Sequence, residues 1–161
     1  MPPIPDFMQS VFEEGPFRKC VSCGAALDSE RFYQIQKAWR NGEVVFEMAI
    51  CTECAARTIR EFSQESLERM QAFFEERFRE TDDARGCNFC GKIVGLDEEY
   101  EMAAFCQGGF LARGVNLVCG TCSSASQENL SRQTRDSWGR FVEDNIPGVP
   151  HALELDILPV F

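Results

Sequence analysis

Eight of the nine cysteines fall into four Cys-x-x-Cys pairs, and the pairs themselves come in twos. Cys20 and Cys23 are answered by Cys51 and Cys54, and Cys87 and Cys90 by Cys119 and Cys122. A spacing of i, i+3 lets a tight turn or the first turn of a helix aim two thiolates at one point. Two such pairs complete a tetrahedral all-sulfur site, and zinc is the commonest occupant. The spacing therefore predicts two metal centres, and each half of a 161-residue chain is small enough to need one. Iron is the alternative occupant, since rubredoxin-type sites also use two such pairs. The second pairs here, Cys-Thr-Glu-Cys-Ala and Cys-Gly-Thr-Cys-Ser, lead into helical sequence rather than a second Pro/Gly knuckle. That favours zinc, two ions per chain, over a rubredoxin-like electron carrier.

The two halves can be laid over each other. Arg18-Lys19-Cys20-Val21-Ser22-Cys23-Gly24 matches Arg85-Gly86-Cys87-Asn88-Phe89-Cys90-Gly91, Tyr33 matches Tyr100, and Ile50-Cys51 matches Val118-Cys119. Ser63-Gln64-Glu65-Ser66-Leu67 recurs as Ser126-Gln127-Glu128-Asn129-Leu130, which implies several residues lost from the second copy ahead of that helix start. Each half reads as a knuckle whose glycine permits positive φ, a hairpin, then a helix carrying two ligands. In the first half the hairpin is 31–50, with Asn41-Gly42 as a type I′ turn between Tyr33, Ile35, Lys37 and Trp39 and the return strand Val44 to Met48. In the second half Tyr100, Met102 and Ala104 lead out, Gly108-Gly109 turns, and Val115, Leu117 and Val118 lead back past Gly114. Ser63 is the expected cap of a fresh helix bearing Leu67, Met70, Phe73, Phe74 and Phe78; its counterpart runs from Ser126 through Leu130, Trp138 and Phe141.

The expected fold is small α+β: two tandem treble-clef-like modules, each built on four cysteines (zinc knuckle, β-hairpin, α-helix) and related by internal duplication. Its divisions are an N-terminal arm with a short helix over 1–16, a first module over 17–80, a linker over 81–86, a second module over 87–146 and an apolar tail over 147–161. The stretch Cys87-Asn88-Phe89-Cys90-Gly91-Lys92 with Val118-Cys119-Gly120-Thr121-Cys122 is similar in style to the N-terminal zinc-binding domain of Clp-type unfoldases. The resemblance covers the cysteine pairs and their flanks. It implies the eight metal ligands and a role in dimerisation or in docking protein partners.

The formal net charge of −10 opposes binding to phosphate backbones, and Arg57 and Arg60 are diluted by Glu53 and Glu61. A nucleic-acid-binding regulator is accordingly a minor alternative. The start Met-Pro-Pro-Ile-Pro-Asp has no basic n-region followed by an apolar run, and no stretch approaches the ~20 apolar residues of a membrane span. The expectation is a cytoplasmic protein whose thiolates are held by metal, with no membrane partner. A filled four-sulfur site leaves no coordination position for water, and no nucleophile, base or phosphate-cradling motif stands out; no enzyme activity is expected. Cys106 reads as a packed core thiol and His151 as an incidental tail residue. Ile4, Phe7, Met8, Val11 and Phe12 would share one side of a short helix, and Leu153, Leu155 and Ile157 alternate as a strand would. The function expected from these readings is a non-enzymatic interaction or adaptor protein, with a protein partner or self-association.

Overall fold

A computed structural model describes residues 1–28 and 30–148; His151 and the alternating tail lie outside them. The chain is small α+β, with a five-stranded antiparallel sheet and four α-helices among the described residues. Strands β1 (Phe32–Arg40) and β2 (Glu43–Cys51) form the first hairpin. Its turn has positive φ at both Asn41 and Gly42, 50° and 78°, as a type I′ connection requires. Strands β3 (Tyr100–Gln107), β4 (Phe110–Leu111) and β5 (Asn116–Cys119) form the second. Its return is split: the N–H groups of Ala112 and Arg113 both turn onto the Phe105 carbonyl, and ladder pairing resumes only at Asn116.

The sequence did not announce that β1 pairs antiparallel with β3, so one sheet runs through both halves in the order β2-β1-β3-β4, with β5 also on β3. The register is self-complementary. Tyr33 faces Cys106 and Trp39 faces Tyr100, the two tyrosines being equally far beyond Cys20 and Cys87. The rings of Trp39 and Tyr100 stack at 5.0 Å. An antiparallel sheet often leaves one face to water, but β1 is paired on both edges and covered on both faces. On the face of Tyr33, Ile35, Lys37 and Trp39 lies the N-terminal arm, which buries Met8 and seats the Gln9 carbonyl on the Lys37 ammonium at 2.5 Å. On the face of Gln36, Ala38 and Glu101 lie helices, with Ser123 donating to Glu101.

Helix α1 (Thr52–Ile59) follows β2 and α2 (Gln64–Arg77) follows α1; α3 (Gly120–Gln127) follows β5 and α4 (Arg132–Asn145) follows α3. Ser63 caps α2 as expected, its hydroxyl accepting from the Ser66 N–H. Ser126 does not cap its counterpart. It lies inside α3, and the cap of α4 is Ser131, which accepts from the Thr134 N–H. Ser131 stands as far beyond Cys119 as Ser63 beyond Cys51, so no residues are missing from the second half there. The recurring Ser-Gln-Glu string had set the comparison out of step.

The two caps meet. Ser63 and Ser131 hydroxyls are 2.7 Å apart, and the Ser66 and Thr134 hydroxyls 2.9 Å. The Ser63 N–H donates to Thr134 at 2.9 Å while the Ser131 N–H donates to Ser66 at 2.8 Å, a reciprocal exchange. Ser66 and Thr134 are wholly buried, so each lost hydroxyl strands a desolvated N–H of the opposite helix. Ser66→Ala should therefore cost about 1–3 kcal/mol in a denaturant titration. A loss below roughly half a kcal/mol, the low end for any net hydrogen bond, would show that the hub contributes little.

The amphipathic helix expected near the N-terminus does not form. Only Asp6–Met8 makes a single 3-10 turn, and of the five apolar residues only Met8 is fully buried, with Ile4 half-buried. A residue that precedes a proline is pushed out of the helical region, which applies to Pro2 before Pro3 and Ile4 before Pro5, and Pro5 itself is extended at ψ 153°. The arm instead pairs outward, Pro3 bridging Phe110 and the Pro2 carbonyl accepting from the Leu111 N–H. The N–H groups of Val11 and Phe12 are taken by the Glu47 carboxylate at 3.1 and 3.2 Å.

Candidate metal centres

The first pair of each quartet sits in a knuckle. The Gly24 N–H returns to the Cys20 carbonyl at 3.0 Å and the Gly91 N–H to the Cys87 carbonyl at 2.8 Å, with φ of 73° and 80° at the two glycines. A side chain there would face the left-handed region, which is why glycine closes each turn. The second pair spans a strand end and a helix start: Cys51 closes β2 and Cys54 lies in α1, as Cys119 closes β5 and Cys122 lies in α3. A matched backbone hydrogen bond ties each knuckle to its hairpin, Val21 N–H to the Ala49 carbonyl and Asn88 N–H to the Leu117 carbonyl, and in the second half the Leu117 N–H also donates to Asn88 Oδ1 at 2.8 Å.

All eight sulfurs expected to bind metal are brought together in the expected two groups. Cys20, Cys23, Cys51 and Cys54 form one, and Cys87, Cys90, Cys119 and Cys122 the other, with the sulfurs of each within 4.8 Å of one another. A tetrahedral ion with metal–sulfur bonds of about 2.3 Å needs sulfurs about 3.8 Å apart. Cys23 and Cys51 are 4.0 Å apart and Cys90 and Cys119 3.7 Å. The donor set thus fits two metal ions, and zinc and iron share this bond length.

Burial and backbone donors act in opposite directions on these sulfurs. Burial works against a Cys20 thiolate, but the N–H groups of Cys23, Cys51 and Ser22 outweigh it and bring the pKa down to about 7. Cys87 is lowered in the same way, against burial, by the N–H groups of Cys119, Phe89 and Cys90. Burial drives Cys51 the other way, up to about 12, and also raises Cys119 and Cys122. Backbone N–H groups thus favour the thiolate at Cys20 and Cys87 while burial favours the thiol at Cys51, Cys119 and Cys122, and a cation bound to these sulfurs would release the protons.

The surroundings of the two quartets differ in ways that sequence reasoning missed. Arg57, one helical turn past Cys54, donates to its sulfur at 2.8 Å. One turn past Cys122 the residue is Ala125. Beside the first quartet the Glu53 carboxylate lies 3.6 Å from the Cys51 sulfur and is paired to Arg31 at 3.1 Å. Beside the second, Lys92 is paired to Glu98 at 2.6 Å. The signal for Arg57 was present as Cys-Ala-Ala-Arg, a cation within helical reach of a ligand, but it had been weighed only as a basic patch.

Cys106 belongs to neither centre. It is fully buried on β3 opposite Tyr33, and burial raises its thiol to about 11, so it packs rather than reacts. Comparison with protein-family models, with curated proteins and with solved structures finds no match. Among the described residues no helix is long and apolar enough to cross a membrane.

Proposed function

We propose that this chain is a non-enzymatic, cytoplasmic protein-binding scaffold in which two structural zinc ions staple a duplicated treble-clef module. Duplication is supported by matched details at equal spacing: the knuckle bonds, the bridges Lys19 to Ala26 and Gly86 to Ile93, and the reciprocal caps. Zinc is favoured over iron because the closing pairs enter helices instead of forming second knuckles. Four thiolates fill the coordination sphere, so the ions act as staples and not as sources of activated water.

The observation that carries the interaction reading is a groove of about 550 Å³ between α2 and the sheet. Leu67, Met70, Phe73, Phe74 and Phe78 line it from the helix, and Phe89 from the second knuckle. In the second half the equivalent apolar residues are consumed internally: Trp138 is 1% exposed and Val142 equally buried. On α2 the only fully buried residue is Ser66, and Phe74 remains 47% exposed. An open apolar surface of this kind is where a partner's side chains gain most by leaving water.

Phe74→Glu tests this reading. The variant should keep its metal content and fold while losing at least about tenfold in affinity for whatever the wild type retains, or its self-association, the scale expected for a central aromatic anchor. Light scattering and affinity capture, run side by side, read the two outcomes. A wild type that stays monomeric and captures nothing the variant does not would remove the support for a scaffold.

A further inference from the structure

The two quartets offer a metal the same four donors, yet their sulfurs are not equally shielded. A four-thiolate site around a divalent ion carries excess negative charge, and the nucleophilicity of each sulfur depends on how much of that charge neighbouring donors absorb. In the first centre the exposed knuckle sulfur, Cys23, accepts the Ala25 N–H at 3.4 Å, and Cys54 accepts the Arg57 guanidinium at 2.8 Å. Glu53 acts against this beside Cys51, but Arg31 holds that carboxylate, so the side-chain charge around the first centre sums to a cation. In the second centre the N–H groups of Phe89, Cys119 and Cys122 serve Cys87 and Cys119. Among the described residues the exposed knuckle sulfur, Cys90, has no hydrogen-bond partner beyond the other sulfurs of its quartet. Lys92 feels the Cys90 and Cys119 sulfurs, but its ammonium is fastened to Glu98, so the pair brings no net charge.

We propose that Cys90 is a modification site, the first sulfur of this protein to react with soft electrophiles, and that Arg57 with the Ala25 N–H keeps the first centre inert. The ligand class is an electron-poor alkene such as an α,β-unsaturated carbonyl. The Cys90 sulfur adds to the β carbon, a C–S bond forms as the C=C π bond breaks, and the resulting enolate takes a proton from water. With Cys90 alkylated, only Cys87, Cys119 and Cys122 would remain to hold a metal in the second quartet, while the first would keep all four of its sulfurs. The proposal rests on metal occupancy and not on the scaffold reading.

The test treats the zinc-loaded full chain with one equivalent of N-ethylmaleimide, follows released zinc with an indicator, and locates the adduct by peptide mass spectrometry. Cys90 should label about fivefold faster than Cys23, the ratio that one ordinary neutral hydrogen bond, that of the Ala25 N–H, provides. Zinc release should stop near one ion per chain. Arg57→Ala should expose the first quartet to labelling and release the second ion, and Arg57→Lys should largely restore protection. Ala125→Arg, which places a guanidinium one turn past Cys122, should slow Cys90 and checks the same idea without touching the first centre. Equal labelling of Cys23 and Cys90 in a chain that holds two zinc ions would overturn the proposal. So would an Arg57→Ala variant as inert in its first quartet as the wild type. A chain that carries no zinc before the reagent is added would overturn it together with the reading of the centres.

Discussion

Cys87→Ser is expected to unfold both halves of the protein. The residue is wholly buried, accepts N–H groups from Phe89 and Cys119, and supplies the sulfur most strongly prepared as a thiolate in its quartet. A structural zinc site contributes on the order of 10–16 kcal/mol of apparent free energy, as much as the whole net stability, about 5–15 kcal/mol, of an ordinary domain. The damage does not stop at residue 86, because β3 pairs with β1 along its length from Phe32↔Gln107 to Trp39↔Tyr100. The reciprocal hydroxyls at Ser63, Ser66, Ser131 and Thr134 tie the helices of the two halves as well. Amide exchange of Ile35 and Met48 should rise toward the unfolded rate in Cys87→Ser, although neither residue touches the second centre. First-hairpin amides that stay protected would show that the halves stand independently.

The second large effect lies at Lys37. Its ammonium is 3.4 Å from Glu47, with both side chains almost fully buried, and burial pulls the Lys37 pKa down while Glu47 holds it up. Glu47 in turn accepts the Ser10 hydroxyl at 2.8 Å and the Val11 and Phe12 N–H groups. Lys37→Met leaves a carboxylate buried without its cation and should cost about 3–5 kcal/mol. Lys37→Met with Glu47→Leu should recover part of that loss, since the desolvation of both charges is then removed. In the single variant the Val11 and Phe12 amides should exchange faster than those of β1, because the arm is fastened through Glu47. A loss under about 1 kcal/mol in the single variant, the scale of a solvated pair, would mean that the pair is hydrated and the arm is held by other contacts.

How far the sequence could be read depended on whether the determining forces were local. The Cys-x-x-Cys spacing and the Asn41-Gly42 turn act over a few residues, and the two sulfur quartets and the first hairpin form as expected. The cap of α4 was misplaced because a repeated Ser-Gln-Glu string was weighed above distance from the metal pair, which points to Ser131. The N-terminal helix failed because apolar spacing was counted without its prolines, while a remote carboxylate captured the backbone. The joining of β1 to β3 was hidden for a different reason. β1 carries the polar residues Gln36 and Lys37, which are buried because Glu101 and Glu47 arrive from other strands to meet them. Partners separated by such stretches leave no local pattern.

The same distinction separates the two faces of function. The two sulfur quartets were legible because a coordination site demands residue type and spacing together. Arg57 against Cys54 was not, since one arginine in an acidic chain has many possible partners. The groove beside α2 was visible only as a surplus of phenylalanines; which of them would stay open depended on how closely the helix approaches the sheet.

Elemental analysis of the folded, reduced chain, with its visible spectrum taken on the same sample, tests the central claim most directly. Two metal ions per chain, zinc with no visible absorbance, is the result that two filled sulfur quartets predict. A folded, reduced protein that carries no metal would contradict it.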